Sequence, residues 1–295
     1  MPGPAPSAFY AAKAGVTRAR SIAWQARTRG HVRADGLRIL FYHRVSNDRD
    51  ELAVRPRAFA EHMDYLAAEG YRVVDVVTAG ALLDAGDPPP RTVALSFDDG
   101  YLDVAEHALP VLARNGFRAT VFIAPAVTDG TAAFTWYDAQ PPLIAWDDVI
   151  WLDREGTLRF EAHSLTHPNL LALDDAEAAR EIHGSKRALE TRLDRAVLAF
   201  SYPSGLFGER ERGLVREGGF RLAVSCEPGV NHTNVDRFAL RRRQIDARDS
   251  MLDFKAKLGG GHDSSPPLRS LYRRVRYGAA PRAPARASSR QYSST

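Results

Sequence analysis

Cysteine is almost absent from this 295-residue chain: Cys226 stands alone. One thiol excludes an intramolecular disulfide framework and a cysteine-rich zinc site, and its ordinary role is that of a small, buried, inert side chain. Long apolar runs are also missing. No stretch approaches the roughly 20 apolar residues of a membrane span. The first residues do not read as a secretory signal, because Lys13, Arg18 and Arg20 interrupt any apolar segment. The expectation is therefore a cytoplasmic protein. Acidic residues are missing from both ends. Residues 1–33 carry six basic residues and no acid, and residues 267–295 carry seven arginines and no acid. These 13 charges exceed the net charge of +4 and leave residues 34–266 at −9. A basic pair of ends on an acidic body reads first as solvated, mobile termini, with peripheral contact of those termini with an anionic surface, the lipid headgroups of an anionic membrane or an acidic glycan, as the alternative. No nucleic-acid-binding motif accompanies the charge, and nucleic acid is not expected as a partner.

What remains is an ordinary globular composition, 44% hydrophobic and 26% charged. Three segments follow: a basic lead over 1–36, a domain over 37–260 and a basic tail over 261–295. The middle of the lead reads as a weak amphipathic helix with Phe9, Val16, Ile22 and Trp24 partly on one side. From Arg38 the text alternates. Strands are expected at Arg38–Tyr42, Tyr71–Val76, Thr92–Leu95, Arg118–Ile123, Leu158–Phe160, Val197–Tyr202 and Phe220–Ser225, with a short one near Phe238–Leu240. Helices are expected at Phe59–Ala68, Tyr101–Asn115, Trp146–Glu155, Asp174–Arg192, Glu209–Glu217 and Ser250–Leu258. A further helix is conceivable at Leu268–Val275. Strand–helix alternation repeated about seven times implies an α/β fold with a parallel sheet, open or closed into a barrel.

Two clusters carry chemistry. Ser96-Phe97-Asp98-Asp99-Gly100 puts paired carboxylates at the exit of a buried strand, where α/β enzymes place their active groups. His163-Ser164-Leu165-Thr166-His167 follows another apolar segment. A carboxylate with two histidines is a common ligand set for a catalytic divalent metal that keeps a position open for water. Trp136 and Tyr137, in a long loop over 124–142, fit either sugar stacking or loop packing.

In this arrangement the chain resembles the polysaccharide deacetylase family, carbohydrate esterases that share the NodB homology domain. The resemblance covers roughly residues 37–260. Ser96–Gly100 resembles the first family motif, His163–His167 the second, and Tyr202-Pro203-Ser204-Gly205 the third, a Pro-x-Gly loop. It implies a distorted (β/α) barrel of NodB type. By resemblance, Asp99, His163 and His167 would hold a divalent cation, most often Zn2+. Asp98 would be the general base, and the Ser204 backbone N–H would face the oxyanion. Where many members carry an arginine before the motif proline this chain has Ser201, so Arg242 is the expected substitute. The late Leu-x-His motif that supplies the acid is absent, and His262 in the glycine-rich stretch is a poor replacement. Tyr42-His43-Arg44 is similar instead to the permuted branch that includes poly-N-acetylglucosamine deacetylases, which makes His43 the expected acid. The implied activity is metal-dependent removal of N-acetyl groups from amino sugars of a glycan or glycan precursor. O-acetyl ester or other amide hydrolysis with the same site, and a non-catalytic glycan-binding role, are the alternatives.

Overall fold

The computed structural model describes residues 7–32 and 35–263. Its centre is an eight-stranded sheet in which every paired strand is parallel. Strand β1 (Arg38–Tyr42) is followed by a small side ribbon, β2 (Arg44–Val45) with β3 (Ala53–Val54). Then come α2 (Pro56–Ala68), β4 (Arg72–Val74), α3 (Val76–Ala85) and β5 (Thr92–Asp98). A π-helical turn at Val104–Ala108 leads into α4 (Leu109–Arg114), followed by β6 (Ala119–Ile123), α5 (Pro125–Thr128), α6 (Trp146–Glu155) and β7 (Leu158–Ala162). The series ends with α7 (Asp175–Leu193), β8 (Ala199–Ser201), α8 (Glu209–Glu217), β9 (Leu222–Val224), β10 (Arg243–Gln244) and α9 (Met251–Leu258). The order across the sheet is β10-β1-β5-β6-β7-β8-β9, with β4 also on β5.

All seven residues of β5 are buried. A strand buried on both faces needs a continuous apolar run, which Thr92–Leu95 supplies. The first half of β5 pairs with β4 and its second half with β6, so the Asp-Asp end lies between β1 and β6. The curled sheet is nearly closed by the segment before β10. Leu240 bridges Val224 of β9, and three residues later Arg243 pairs with Leu40 of β1. This is the distorted NodB-type barrel that the motifs imply.

Several expectations change. The strand expected near Phe238–Leu240 is a 3-10 turn at Arg237–Ala239, and the pairing moves on to Arg243–Gln244. The strand expected to reach Val76 stops at Val74, because Asp75 accepts a hydrogen bond from the Thr78 N–H and caps α3, a helix the apolar run concealed. In α1 (Ser7–Thr28), Trp24 is buried while Val16 and Ile22 are exposed, so these residues do not share a face. The helix expected at Leu268–Val275 lies outside the described residues. His262 and Asp263 belong to the packed body. His262 Nε2 lies 3.0 Å from Ser21 Oγ, and Asp263 pairs with Arg38 at 2.9 Å. No helix among the described residues is long and apolar enough to cross a membrane.

Candidate active site and metal centre

Asp98 ends β5 and Asp99 leaves it with φ 75°. This left-handed step turns the two neighbouring carboxylates into different surroundings. His163 follows β7, and its loop repeats the device: Ser164 and His167 have φ 59° and 60°. Glu181 of α7 holds that loop, accepting hydrogen bonds from the Leu165 N–H (3.0 Å), the Thr166 N–H (2.9 Å) and the Thr166 hydroxyl (2.8 Å). Ser204 sits at φ 56°, and Gly205 at φ 64°. A Cβ on Gly205 would come within 2.6 Å of Cys226 Cβ, so the Pro-Ser-Gly turn admits no larger residue there. Strained non-glycine backbone therefore gathers at all three motifs, as it does where side chains must be aimed.

Asp99, His163 and His167 converge, with ligand atoms all within 4.8 Å of one another. The Nε2 atoms of His163 and His167 lie 3.6 and 3.7 Å from Asp99 Oδ1. That oxygen is buried with no hydrogen-bond partner among the described residues, whereas Asp99 Oδ2 accepts from the Tyr101 hydroxyl at 3.2 Å. His163 Nδ1 lies 2.7 Å from the Ser201 carbonyl oxygen; its N–H donates there and leaves Nε2 a free lone pair. Burial lowers the His163 pKa to about 4 against the pull of Asp98, and burial with His163 beside it lowers that of His167, so both rings are neutral. Burial and neighbouring Asp98 push the Asp99 carboxyl well above its usual range. An orphaned carboxylate oxygen facing two neutral imidazoles is a donor set that lacks a positive charge, and a divalent cation fits it.

Asp98 has the opposite environment. Arg242 donates to both its oxygens, Nη1 to Oδ1 at 2.7 Å and Nη2 to Oδ2 at 2.8 Å. Burial alone would raise the Asp98 pKa, but Arg242 and His163 outweigh it and bring it down to about 2. Arg242 is fully buried, lies on the segment that closes the barrel, and stacks 4.3 Å from the Phe41 ring. Its remaining donors go to the Ser225 carbonyl (2.9 Å), Ser96 Oγ (3.2 Å) and Ser201 Oγ (2.9 Å). Ser201, the residue at the usual arginine position, thus becomes an acceptor for an arginine that enters from the other side. Cys226, expected buried, is half-buried, with Sγ 3.9 Å from Arg242 Nη2.

His43 follows β1, and its Nδ1 is buried without a hydrogen-bond partner among the described residues. Burial lowers its pKa, Asp98 opposes that, and Arg242 adds to it. The register that pairs Phe41 with Gln244 carries Asp246 to the same strand end, where Lys13 (2.6 Å) and Lys257 (2.9 Å) hold it. The aromatic loop packs beside the histidine cluster. Trp136 lies 4.9 Å from the His167 ring and 4.6 Å from Phe134, and the Tyr137 hydroxyl donates to Asp50 at 2.5 Å. Asp50 is in turn bound by Arg44, which also holds Asp48 and Asp103. Tyr101, Glu181, Asp50 and Arg44 were not legible as site residues. Only Tyr101, two positions after Asp99, carries a local signal.

Comparisons with known proteins bear on the fold and on the motif-bearing segment. Residues 85–223 match the polysaccharide deacetylase family, a span that includes Asp98, Asp99, His163, His167 and Ser204 but neither His43 nor Arg242. YxkH of Bacillus subtilis, named for that family, is 27% identical over 210 residues, covering 71% of each chain. The poly-beta-1,6-N-acetyl-D-glucosamine N-deacetylase of Staphylococcus aureus is 21% identical over 165 residues, 53% of this chain and 55% of that one. In three dimensions, IcaB from Ammonifex degensii superposes with a TM-score of 0.65 at 23% identity, over 79% of this chain and all of that one. Residues 85–223, which carry the Asp-Asp, His-His and Pro-Ser-Gly motifs of the barrel mouth, are the part of the chain that matches the polysaccharide deacetylase family.

Proposed function

We propose that the protein hydrolyses the N-acetyl group of amino sugars in a glycan or glycan precursor, with Asp99, His163 and His167 holding a divalent cation, Zn2+ by the chemistry of a histidine-rich set. The reading rests above all on one juxtaposition: an arginine-clamped Asp98 beside a carboxylate and two histidines whose ligand atoms converge within 4.8 Å. Bound there, the cation supplies Lewis acidity for the carbonyl and the attacking water.

Asp98 takes the proton of that water. Arg242 keeps Asp98 ionised and fixes its plane, so one orientation serves every turnover. The Ser204 N–H donates to the developing oxyanion. His43 gives a proton to the departing nitrogen as the C–N bond breaks, and acetate and a free amine leave. Burial depresses the His43 pKa, so its protonated form depends on the negative charge of Asp98. Trp136, beside His167, forms an apolar wall suited to a sugar face. The staphylococcal relative acts on poly-beta-1,6-N-acetyl-D-glucosamine, and a related amino-sugar polymer is the proposed substrate class.

The test is acetate release from N-acetylated oligosaccharides by zinc-loaded protein, beside Asp98→Asn and His163→Ala. Release abolished by both substitutions is expected. Zinc-loaded wild type that releases acetate from O-acetyl but no N-acetyl substrate overturns the amide reading. Zinc-loaded wild type that binds oligosaccharide without any release overturns the enzymatic one.

A further inference from the structure

Helix α1 has two faces. Ser21 and Trp24 are buried against the body, where Trp24 packs on Gly259 and Gly261 near α9. The opposite face carries Gly15, Val16, Ala19, Ile22, Ala23 and Ala26, all exposed and all without a polar side chain. Steps of three and four residues place them on one stripe of the helix. Val16 is 60% exposed and Ile22 56%, which is unusual for large aliphatic side chains. Arg18 borders the stripe on one side, where it pairs with Asp253 at 2.8 Å, and Arg20, which reaches the Gly261 carbonyl, and Arg27 border it on the other. Arg29 lies one residue beyond the helix end, Arg27 and Arg29 are exposed, and the helix contains no acid.

We propose that this face of α1 docks on an anionic lipid bilayer. Lipid suits both halves of the observation, since Val16 and Ile22 enter the apolar boundary while exposed Arg27 and Arg29 reach the headgroups. A second copy of the chain suits only one half, because pairing two stripes would bring arginine rows of like sign together. A soluble polyanion would leave the aliphatic side chains in water. The helix runs along the barrel wall: Lys13 contacts Asp246 beside the end of β10, and Trp24 lies near Gly261, close to the start of β1. Docking would therefore lay the barrel on its side, with its mouth opening along the membrane plane.

The inference is independent of the reaction. Its test is sedimentation of the full chain with vesicles of phosphatidylcholine alone or with phosphatidylglycerol. Binding to the anionic vesicles only, weakened by salt, is expected. Val16→Asp with Ile22→Asp, and separately Arg27→Glu with Arg29→Glu, are each expected to weaken it more than about tenfold. Melting curves that match wild type show that the variants fold, since all four positions are exposed. Binding undiminished in the aspartate pair would overturn the proposal and leave charge alone as the cause. So would a dimer that dissociates in the aspartate pair while wild type ignores vesicles.

Discussion

Asp98 and Asp99 are adjacent in the chain and equally buried, yet one has every oxygen engaged and the other has one oxygen unpartnered among the described residues. Arg242 holds the first from the closing segment of the barrel. The second faces two histidines whose neutral rings offer lone pairs instead of protons. The difference teaches that identical residue types at a strand end diverge when the backbone turns, here at φ 75° on Asp99. A buried ion pair is seldom a net gain over well-packed apolar residues. On the proposed function, the Asp98–Arg242 pair holds the base ionised, and Asp99 with the two histidines offers the donor set for a divalent cation.

The most severe way to break this contrast is to remove the cation side. Chelation, or His163→Ala, should lower acetate release by at least about 1,000-fold, with elemental analysis showing about one metal ion per wild-type chain and none in the variant. Metal retained by His163→Ala would refute the ligand assignment. Next comes Arg242→Met, which strands a buried carboxylate. It should cost about 3–5 kcal/mol in urea unfolding and nearly all activity, and Arg242→Lys should restore little because it lacks the two-pronged donor.

A sharper comparison uses metal-free protein. Asp98→Asn should lower the melting temperature by several degrees, since it breaks the arginine clamp. Asp99→Asn should leave it unchanged or raise it, since burial and Asp98 already oppose ionisation of that carboxyl and the amide removes the cost altogether. Equal losses in both would mean that the two carboxylates are not electrostatically different. A smaller effect concerns acid. His62 is stacked 4.1 Å from Phe254, and burial with Lys257 nearby lowers its pKa to about 3. The folded value lies below the ordinary 6.5, so its stabilising contribution is present above about pH 6.5 and is lost as pH falls toward 3. His62→Phe should flatten the loss of urea stability between pH 6.5 and 4; an unchanged slope would exclude this ring as its source. Last, Tyr137→Phe removes one hydrogen bond to Asp50, worth about 1 kcal/mol. It should raise KM for oligosaccharide more than it lowers kcat, and a kcat loss alone would exclude a role in positioning the loop.

Much of the site could be read from local text. Asp98–Asp99 and His163–His167 are motifs a few residues long, set at the ends of strands whose apolar runs declare themselves. The alternation of strands and helices declared a parallel α/β sheet, and Trp146–Glu155 and Glu209–Glu217 appear with the expected bounds. Errors fell where local propensity was indifferent. Val76–Ala85 is apolar enough for either element, and only the Asp75 cap decides for helix. Trp24 and Ile22 are both apolar, and only packing on Gly259 and Gly261 decides which is buried.

By itself, then, the sequence determined the strand ends and the clustering of Asp98, Asp99, His163 and His167 on them, because those depend on contacts within a few residues and on burial of continuous apolar runs; the roles proposed for them come from the family resemblance. Tertiary structure alone decided that Arg242, 144 positions from Asp98, enters the barrel from its closing segment and that Ser201 accepts from it. It also decided that Lys13 reaches Asp246 and that His262 seals against Ser21. These pairings rest on the curl of the sheet and the path of the chain around it. Neither is written in the spacing of residues, because each pairing requires the intervening elements to be packed before its partners can meet.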